Sequence, residues 1–217
     1  VLSGILFHGL YLGGVFYSIS IGMPTSIAAL IVTLQPILTN ILSGPILNEK
    51  VTLKQWIGVL LGFLGATLVL GLDLGSKIPL LGLIATLIAL ISITASTIWQ
   101  KKLSNNLPLS VSNFYQAVGG CFFHILVVIF FAKPYIALTK TFLLSMGHQI
   151  FLVSFGAFTI LMFLIKKNSA SKTVSIFFLI PATSALMAWF FLKESLTAID
   201  LLGFLITSIG VYIATRD

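Results

Sequence analysis

The sequence predicts an all-α integral membrane protein, and three observations lead to this fold class. The chain has 217 residues, 58% of them hydrophobic and only 8% charged, with a mean hydropathy of +1.14, whereas a soluble domain carries about a quarter charged residues. Apolar runs of about twenty residues, the length that crosses a bilayer's hydrocarbon core, are separated by short charged connectors. The runs are continuous rather than alternating, which favours helices over a closed barrel.

Eight transmembrane helices are predicted, and the distribution of lysine and arginine predicts their orientation. The spans are 2–20, 26–47, 55–72, 79–99, 112–132, 143–165, 173–192 and 198–215. If the connectors alternate in side, one side receives Lys50, Lys54, Lys101, Lys102, Lys166, Lys167, Lys172 and Arg216, and the other receives Lys77, Lys133, Lys140 and Lys193. By the positive-inside rule the first side, with the C-terminus, is cytoplasmic, most simply at a bacterial inner membrane.

The same pattern excludes several other partners. The basic residues stand in ones, twos and threes at helix ends, with no basic stripe interleaved with aromatic residues, so no nucleic-acid partner is expected. The single cysteine, Cys121, excludes an intrachain disulfide. No two histidines stand at metal-ligand spacing with a carboxylate, so no metal and no cofactor is expected. The expected partners are the lipid bilayer and a small-molecule substrate.

An internal repeat is the strongest signal in the chain. With an offset of 145 residues, Pro36, Glu49, Thr52, Gly58 and Gly65 fall on Pro181, Glu194, Thr197, Gly203 and Gly210. The offset spans five predicted helices, an odd number, so the two copies cross the membrane in opposite directions. Inverted repeats around a central site are typical of secondary transporters, in which one half moves against the other and opens the site to each side in turn.

The repeat also divides the chain unequally. The second copy, residues 79–217, contains five predicted helices, whereas the first, residues 1–72, contains three. A complete first copy would begin about 67 residues earlier, room for two more helices at about 20 residues per span. The sequence therefore predicts eight helices of a ten-helix, five-plus-five fold, in a chain that lacks the first two.

Two stretches carry a family resemblance. The sequences GMPTSIAALIVTLQPILTNILSGPILNEKVTLKQWIGVLLGFLGATLVLG and IFFLIPATSALMAWFFLKESLTAIDLLGFLITSIGVYI each resemble the second part of an EamA domain of the drug/metabolite transporter superfamily. The resemblance covers essentially the whole chain. It implies two inverted five-helix halves around a central cavity, and the transport of small metabolites, most often the export of amino acids or related compounds.

Candidate substrate-pathway residues are polar or helix-breaking side chains within the predicted spans. Polar groups in a membrane are more stable facing the bundle interior, where they either bond neighbouring helices or line an aqueous cavity. Each proline removes one backbone hydrogen bond, which permits a hinge beside the cavity or only a tolerated kink. The resemblance places their helices around the cavity. The candidates are Tyr11, Tyr17, Gln35, Pro36, Asn40, Trp99, Gln100, Pro181, Thr183 and Ser184. An uncharged, aromatic-lined cavity suits neutral or zwitterionic substrates.

The remaining repeat residues are predicted to be structural. Glu49 and Glu194 follow a span by too few residues to lie deep in lipid, so we expect each to cap the next helix or pair with a lysine. Gly58, Gly65, Gly203 and Gly210 allow close approach of helices, with homodimerisation a weaker option. No acidic residue lies deep in a predicted span, which disfavours a membrane-embedded enzyme. A non-transporting membrane scaffold remains as the other alternative.

Overall fold

The computed structural model describes residues 1–71, 77–103, 108–131, 136–193 and 195–216, without the side chain of Leu192. Within these ranges it has eight helices long and apolar enough to cross a membrane, which confirms the predicted all-α membrane fold. They are α1 (Leu2–Ser20), α2 (Thr25–Leu47), α3 (Leu53–Leu70), α4 (Leu80–Leu103), α5 (Leu109–Phe131), α6 (Lys140–Lys167), α7 (Ala170–Phe191) and α8 (Ala198–Thr215).

The two ends of the bundle differ in charge. We call the end where α2, α4, α6 and α8 terminate the basic end, because most of the lysines lie there, and the other the opposite end. The central helix is α4, since 56% of the residues in its apolar window are buried, whereas α6 is peripheral with 11%. Large apolar side chains such as Phe131 and Leu138 are exposed around the outside, as expected of a surface that faces lipid.

Helices α3 and α8 begin in the same way, at equivalent positions of the repeat. Thr52 accepts a hydrogen bond from the backbone N–H of Gln55, whose side chain in turn accepts from the backbone N–H of Thr52. Thr197 and Asp200 form the same reciprocal capping box at the start of α8. Each box satisfies two donors that would otherwise be orphaned at a helix start. These caps explain why α3 begins two residues earlier than predicted.

Helices α2 and α7 also share one irregularity, at equivalent positions of the repeat. In α2 the α-helical segments Thr25–Val32 and Gln35–Leu47 are separated by a turn, and in α7 a short 3₁₀ segment spans Ile176–Phe178. Both lie just before a proline of the repeat, Pro36 or Pro181, whose nitrogen cannot donate to the carbonyl of the preceding turn. The two interruptions therefore have one physical cause.

The most extensive helix contact in the described part of the chain joins α3 to α8, and glycines lie at its centre. A β-carbon added at Gly58 would lie 2.5 Å from the Gly210 carbonyl oxygen, and one at Gly65 would lie 2.6 Å from that of Gly203. In the reverse direction, a β-carbon added at Gly210 would lie 2.7 Å from the Gly58 carbonyl oxygen, and one added at Gly203 would lie 2.8 Å from that of Gly65. Only residues without a side chain allow two helix backbones to approach this closely. Because α8 occupies this face of α3, the face is not free for the dimer contact considered from the sequence.

Candidate functional site

A cavity of about 780 Å³ lies among α1, α2, α3, α4 and α7. Its walls run from the middle of the bundle to the opposite end, since Ile93 and Phe178 lie near mid-helix whereas Thr25 and Leu70 stand at helix ends. The wall is largely apolar, with Phe7, Phe177 and Phe178 contributing aromatic rings. A volume of this size accommodates a small organic molecule.

The polar groups of the cavity are uncharged. They come from Tyr11, Thr25, Ser26, Thr33, Gln35 and Ser184, and the described lining residues include no acidic or basic side chain. Gln35 is 2% exposed and donates from Nε2 to the Thr97 hydroxyl at 3.1 Å, which ties α2 to α4 at the depth of Pro36. Thr33 Oγ1 donates to the carbonyl of Ala29, in the preceding turn of the same helix, at 2.7 Å. The wall thus offers hydroxyl and amide contacts in an apolar surround, without a fixed charge.

The cavity brings together half of the predicted pathway residues. Tyr11, Gln35, Pro36, Pro181 and Ser184 all line it, although they come from three helices and from both copies of the repeat. The two prolines occupy matching places in the wall, one on α2 and one on α7. This convergence is what the offset of 145 residues and the inward preference of polar side chains led us to expect.

The other five predicted residues lie elsewhere. Tyr17 and Trp99 are 51% and 42% exposed on the outside of the bundle, and neither lines the cavity. Thr183 is also exposed and donates to the Leu179 carbonyl of its own helix at 2.9 Å. Asn40 and Gln100 are buried in polar contacts nearer the basic end. Spacing along a helix identified helices that border the cavity, but it did not identify the face that each one turns inward.

Asn40 and Glu49 join α2 to α7 at the basic end. The Asn40 side-chain carbonyl accepts a hydrogen bond from the Ser171 hydroxyl, and both residues are buried. One carboxylate oxygen of Glu49 accepts from the backbone N–H of Ala170 at 2.9 Å, so Glu49 caps the start of α7. The sequence predicts that Glu49 caps the next helix, α3, or pairs with a lysine. The capping position of α3 is already filled by Thr52 and Gln55. Glu194, the equivalent of Glu49, lies outside the described residues.

A buried polar cluster joins α1, α4 and α5 near the same end. Gln100 Nε2 lies 2.8 Å from the Ser3 hydroxyl and 2.7 Å from Gln116 Oε1, and Ser96 Oγ donates to the Ser3 carbonyl at 3.0 Å. Nearby, Lys101 Nζ donates to the carbonyls of Ile165 and Asn168 at 3.0 and 2.6 Å, at the end of α6. Hydrogen bonds between helices therefore close the basic half of the bundle.

Sequence reasoning did not predict several members of these contacts, among them Ser3, Thr97 and Ser171. A hydroxyl in a transmembrane helix often bonds its own backbone, so its residue type alone does not reveal a partner. For Ser171 a signal was present, because it is the repeat equivalent of Ser26.

These features define a polytopic membrane protein with an uncharged internal cavity beside two proline-interrupted helices. The chain belongs to the EamA-like transporter family, whose model matches residues 1–71 and 80–216. Together with the eight apolar helices, this establishes an integral membrane protein, as the resemblance implied.

Individual relatives agree with this assignment. The chain is 28% identical over 212 residues to the uncharacterized transporter YvbV of Bacillus subtilis, covering 93% of this chain and 65% of that protein. It is 24% identical over 217 residues to a probable amino-acid metabolite efflux pump of Escherichia coli, covering 91% of this chain and 70% of that protein. A solved crystal structure superposes with a TM-score of 0.82 at 16% identity, covering 99% of this chain and 74% of that one, and so shares the fold.

Proposed function

We propose that the chain forms the translocating core of a secondary transporter that exports small metabolites by alternating access. The observation that carries this proposal is an uncharged cavity that reaches mid-bundle from one end, while polar contacts between helices close the other end. A substrate in such a cavity has access to one side of the membrane at a time. The family and the names of its relatives point to a transporter rather than an enzyme.

The proposal treats the chain as two inverted repeats, residues 1–72 and 79–217. Equivalent helix ends support this division, since Asn48 and Lys193, 145 residues apart, both take a left-handed conformation after α2 and α7, with φ of 56° and 60°. Wider π-type turns also occur at matching places, Ile5–Leu12 in α1 and His148–Ala157 in α6. Matched backbone deviations of this kind are expected of two copies of one structural unit.

We place the basic end in the cytoplasm of a bacterial inner membrane, on the positive-inside rule. The cavity then faces the outside, and the contacts of Asn40 and Glu49 close the cytoplasmic side. In this assignment the described conformation is the outward-facing one of an alternating cycle.

The repeat predicts which contacts form in the inward-facing conformation. The contact between Asn40 and Ser171 has as its equivalents Ala185 and Ser26, and both of these line the cavity. In the inward-facing state we expect Ser26 and Ala185 to approach each other while Asn40 and Ser171 separate. Exchange of conformation between two inverted repeats produces such a swap without new secondary structure.

The proposed substrates are amino acids or related neutral or zwitterionic compounds. The cavity supplies hydroxyl and amide groups beside aromatic rings, and its described wall carries no fixed charge to select a strongly ionic molecule. The name of the Escherichia coli relative, a probable amino-acid metabolite efflux pump, supports the same class.

Counterflow in liposomes tests the function. Vesicles containing the reconstituted chain are preloaded with one unlabelled neutral amino acid, and saturable uptake of its labelled form is expected. Tyr11→Ala removes a ring from the cavity wall and should impair exchange, whereas Tyr17→Ala removes the same group from the outside and should not. Equal losses in the two variants would show that the cavity is not the pathway.

Disulfide cross-linking tests the two conformations, after the exposed Cys121 has been replaced by serine. The pair Asn40→Cys with Ser171→Cys should cross-link readily and stop exchange by locking the basic end. The pair Ser26→Cys with Ala185→Cys should cross-link only as the inward-facing state is visited, so saturating substrate should change its rate. If the second pair cross-links as fast as the first regardless of substrate, the alternating model is wrong.

A further inference from the structure

A second concavity, of about 690 Å³, lies outside the bundle core at the basic end. It is formed by the connector between α2 and α3, the start of α3, the end of α6, the start of α7, the connector between those two helices, and the residue after α8. We call it the basic pocket, because five cationic residues line it, namely Lys50, Lys54, Lys167, Lys172 and Arg216. Five of the eight cations predicted for this side of the membrane therefore converge on one site.

The basic pocket has a strong excess of positive charge. Glu49 is the one acidic residue among its described lining residues, and one of its oxygens is already engaged by the backbone N–H of Ala170. Arg216 stacks over the Tyr212 ring with its guanidinium carbon 4.5 Å from the ring centre, and the Lys167 ammonium lies 4.8 Å from that of Phe163. An aromatic ring carries no net charge, so each ring positions its cation without neutralising it. Cations gathered in one concavity raise the local concentration of anions.

The repeat provides an internal comparison for this pocket. The equivalents of Lys50, Lys54, Lys167, Lys172 and Arg216 are Ser195, Ile199, Gly22, Ile27 and Gly71, none of which is charged. The caps at Thr52 and Thr197 are nevertheless the same in both copies. The fold therefore does not need these cations. The positive-inside rule explains why they lie on this side, but it does not require that they share one pocket, since Lys102 lies at the same end outside it.

We propose that the basic pocket binds a phosphate-bearing anion, either the headgroup of an acidic phospholipid or a soluble phosphate. Arginine and lysine are the side chains that recognise phosphate oxygens, and a site at the ends of membrane helices is within reach of lipid headgroups. Lys50 and Lys54 lie on one wall, beside α2 and α3, and Lys167 lies on the other, at the end of α6. A bound anion would bridge walls that Glu49 and Ala170 already join, and so favour closure of this end.

Two binding measurements test the proposal, and neither depends on transport. Native mass spectrometry of the purified protein compares retention of dioleoylphosphatidylglycerol with that of dioleoylphosphatidylcholine. Titration of inorganic phosphate into the protein in phosphatidylcholine nanodiscs, at constant ionic strength, measures binding of the soluble anion. The affinity for whichever anion binds should fall about fivefold in each of three variants, Lys54→Gln, Lys167→Gln and Arg216→Gln. These side chains are exposed, so their replacement is compatible with folding.

Lys102→Gln is the matched control, because it removes an exposed lysine from the same end but outside the basic pocket. It should change either affinity by less than about twofold. If only the pocket variants lose retention of phosphatidylglycerol, the bound anion is the lipid headgroup. If only the pocket variants lose binding of inorganic phosphate, the bound anion is the soluble one. The proposal is wrong if the wild-type protein binds neither, or if Lys102→Gln weakens binding as much as the pocket variants do.

Discussion

Two helix pairs in this protein join equivalent elements of the repeat, and they behave differently. Helices α3 and α8 meet in the same way towards both ends, because the contact between Gly58 and Gly210 is mirrored by that between Gly65 and Gly203. Helices α2 and α7 are joined at the basic end by Asn40 and Glu49, but diverge around the cavity at the opposite end. The contact between α3 and α8 thus follows the symmetry of the repeat, whereas the contact between α2 and α7 departs from it.

The difference follows from the side chains available to each pair. Glycines bring the α3 and α8 backbones into contact along their length, and such a packed surface has little freedom to open at one end. Between α2 and α7 the two copies are not identical, because Asn40 corresponds to Ala185. The basic end can therefore close with a buried hydrogen bond to Ser171, whereas alanine offers no such bond to Ser26. We infer that α3 and α8 form a fixed axis, and that α2 and α7 move with a bias towards closure of the basic end.

Disruption of the fixed axis should have the largest effect. Gly65→Ala would place a methyl group 2.6 Å from the Gly203 carbonyl oxygen, against backbone that cannot move aside as a side chain could. Overpacking of this kind costs about 1–3 kcal/mol, and we expect the upper part of that range. The measurement is the thermal unfolding midpoint of the purified protein in detergent, which should fall by several degrees.

Gly147→Ala is the control for this substitution. A β-carbon at Gly147 would meet nothing within 4 Å, and this residue also lies in a helix. Alanine should be neutral or stabilising there by up to about 1 kcal/mol, because it has the higher helix propensity. Similar losses in both variants would mean that the glycine contact between α3 and α8 is not what stabilises the axis.

Loss of the Glu49 cap should have the next largest effect, on the contact between α2 and α7 that closes the basic end. Glu49→Leu removes the acceptor for the Ala170 N–H, and we expect closure of the basic end to weaken by about 1–2 kcal/mol. The yield of the disulfide between Asn40→Cys and Ser171→Cys should then fall by about five- to thirtyfold, as that free energy predicts. Glu49→Gln keeps a side-chain acceptor and should retain most of the yield. An unchanged yield in Glu49→Leu would show that the cap does not contribute to closure.

Restoring the symmetry of the repeat at the opposite end should favour closure of the cavity, and the change in free energy should be smaller than that for Glu49→Leu. Ala185→Asn recreates the equivalent of Asn40 opposite Ser26, so closure of the cavity should gain a hydrogen bond worth about 1 kcal/mol. With Val15→Cys on the cavity wall as reporter, labelling by a membrane-impermeant thiol reagent should slow about fivefold. Ala185→Leu has a similar size without the amide, and should not slow labelling to the same extent. Equal slowing in both would mean that bulk, rather than hydrogen bonding, blocks the cavity.

Much of the architecture was predictable because bilayer thickness and the repeat constrain it strongly. Run length predicted eight helices, and the recurrence of Pro36 as Pro181 identified the two interrupted helices beside the cavity. The inward face of each helix was harder to predict, as Tyr11 and Tyr17 illustrate. They lie six residues apart on one apolar helix, where a few polar side chains mark the interior only weakly, because the lipid is as apolar as the core. Partners such as Ser171 for Asn40 depend on contacts between segments far apart in sequence, which no local pattern encodes.

The capping boxes should give the smallest effect and the most direct comparison of the two copies. Thr52→Ala and Thr197→Ala each remove the hydroxyl that accepts the third backbone N–H of a helix, at 3.3 Å in α3 and 3.2 Å in α8. Each should cost about 0.5–1 kcal/mol of unfolding free energy. The Thr197 hydroxyl also donates to the Asp200 carboxylate at 2.8 Å, whereas the equivalent residue in α3, Gln55, is neutral. Because Thr197→Ala also removes this charge-assisted bond, its loss should be somewhat larger than that of Thr52→Ala, and thermal unfolding of both variants in one detergent would measure the difference. A much larger loss at Thr52 would mean that its cap also supports closure of the basic end, through the connector that carries Glu49.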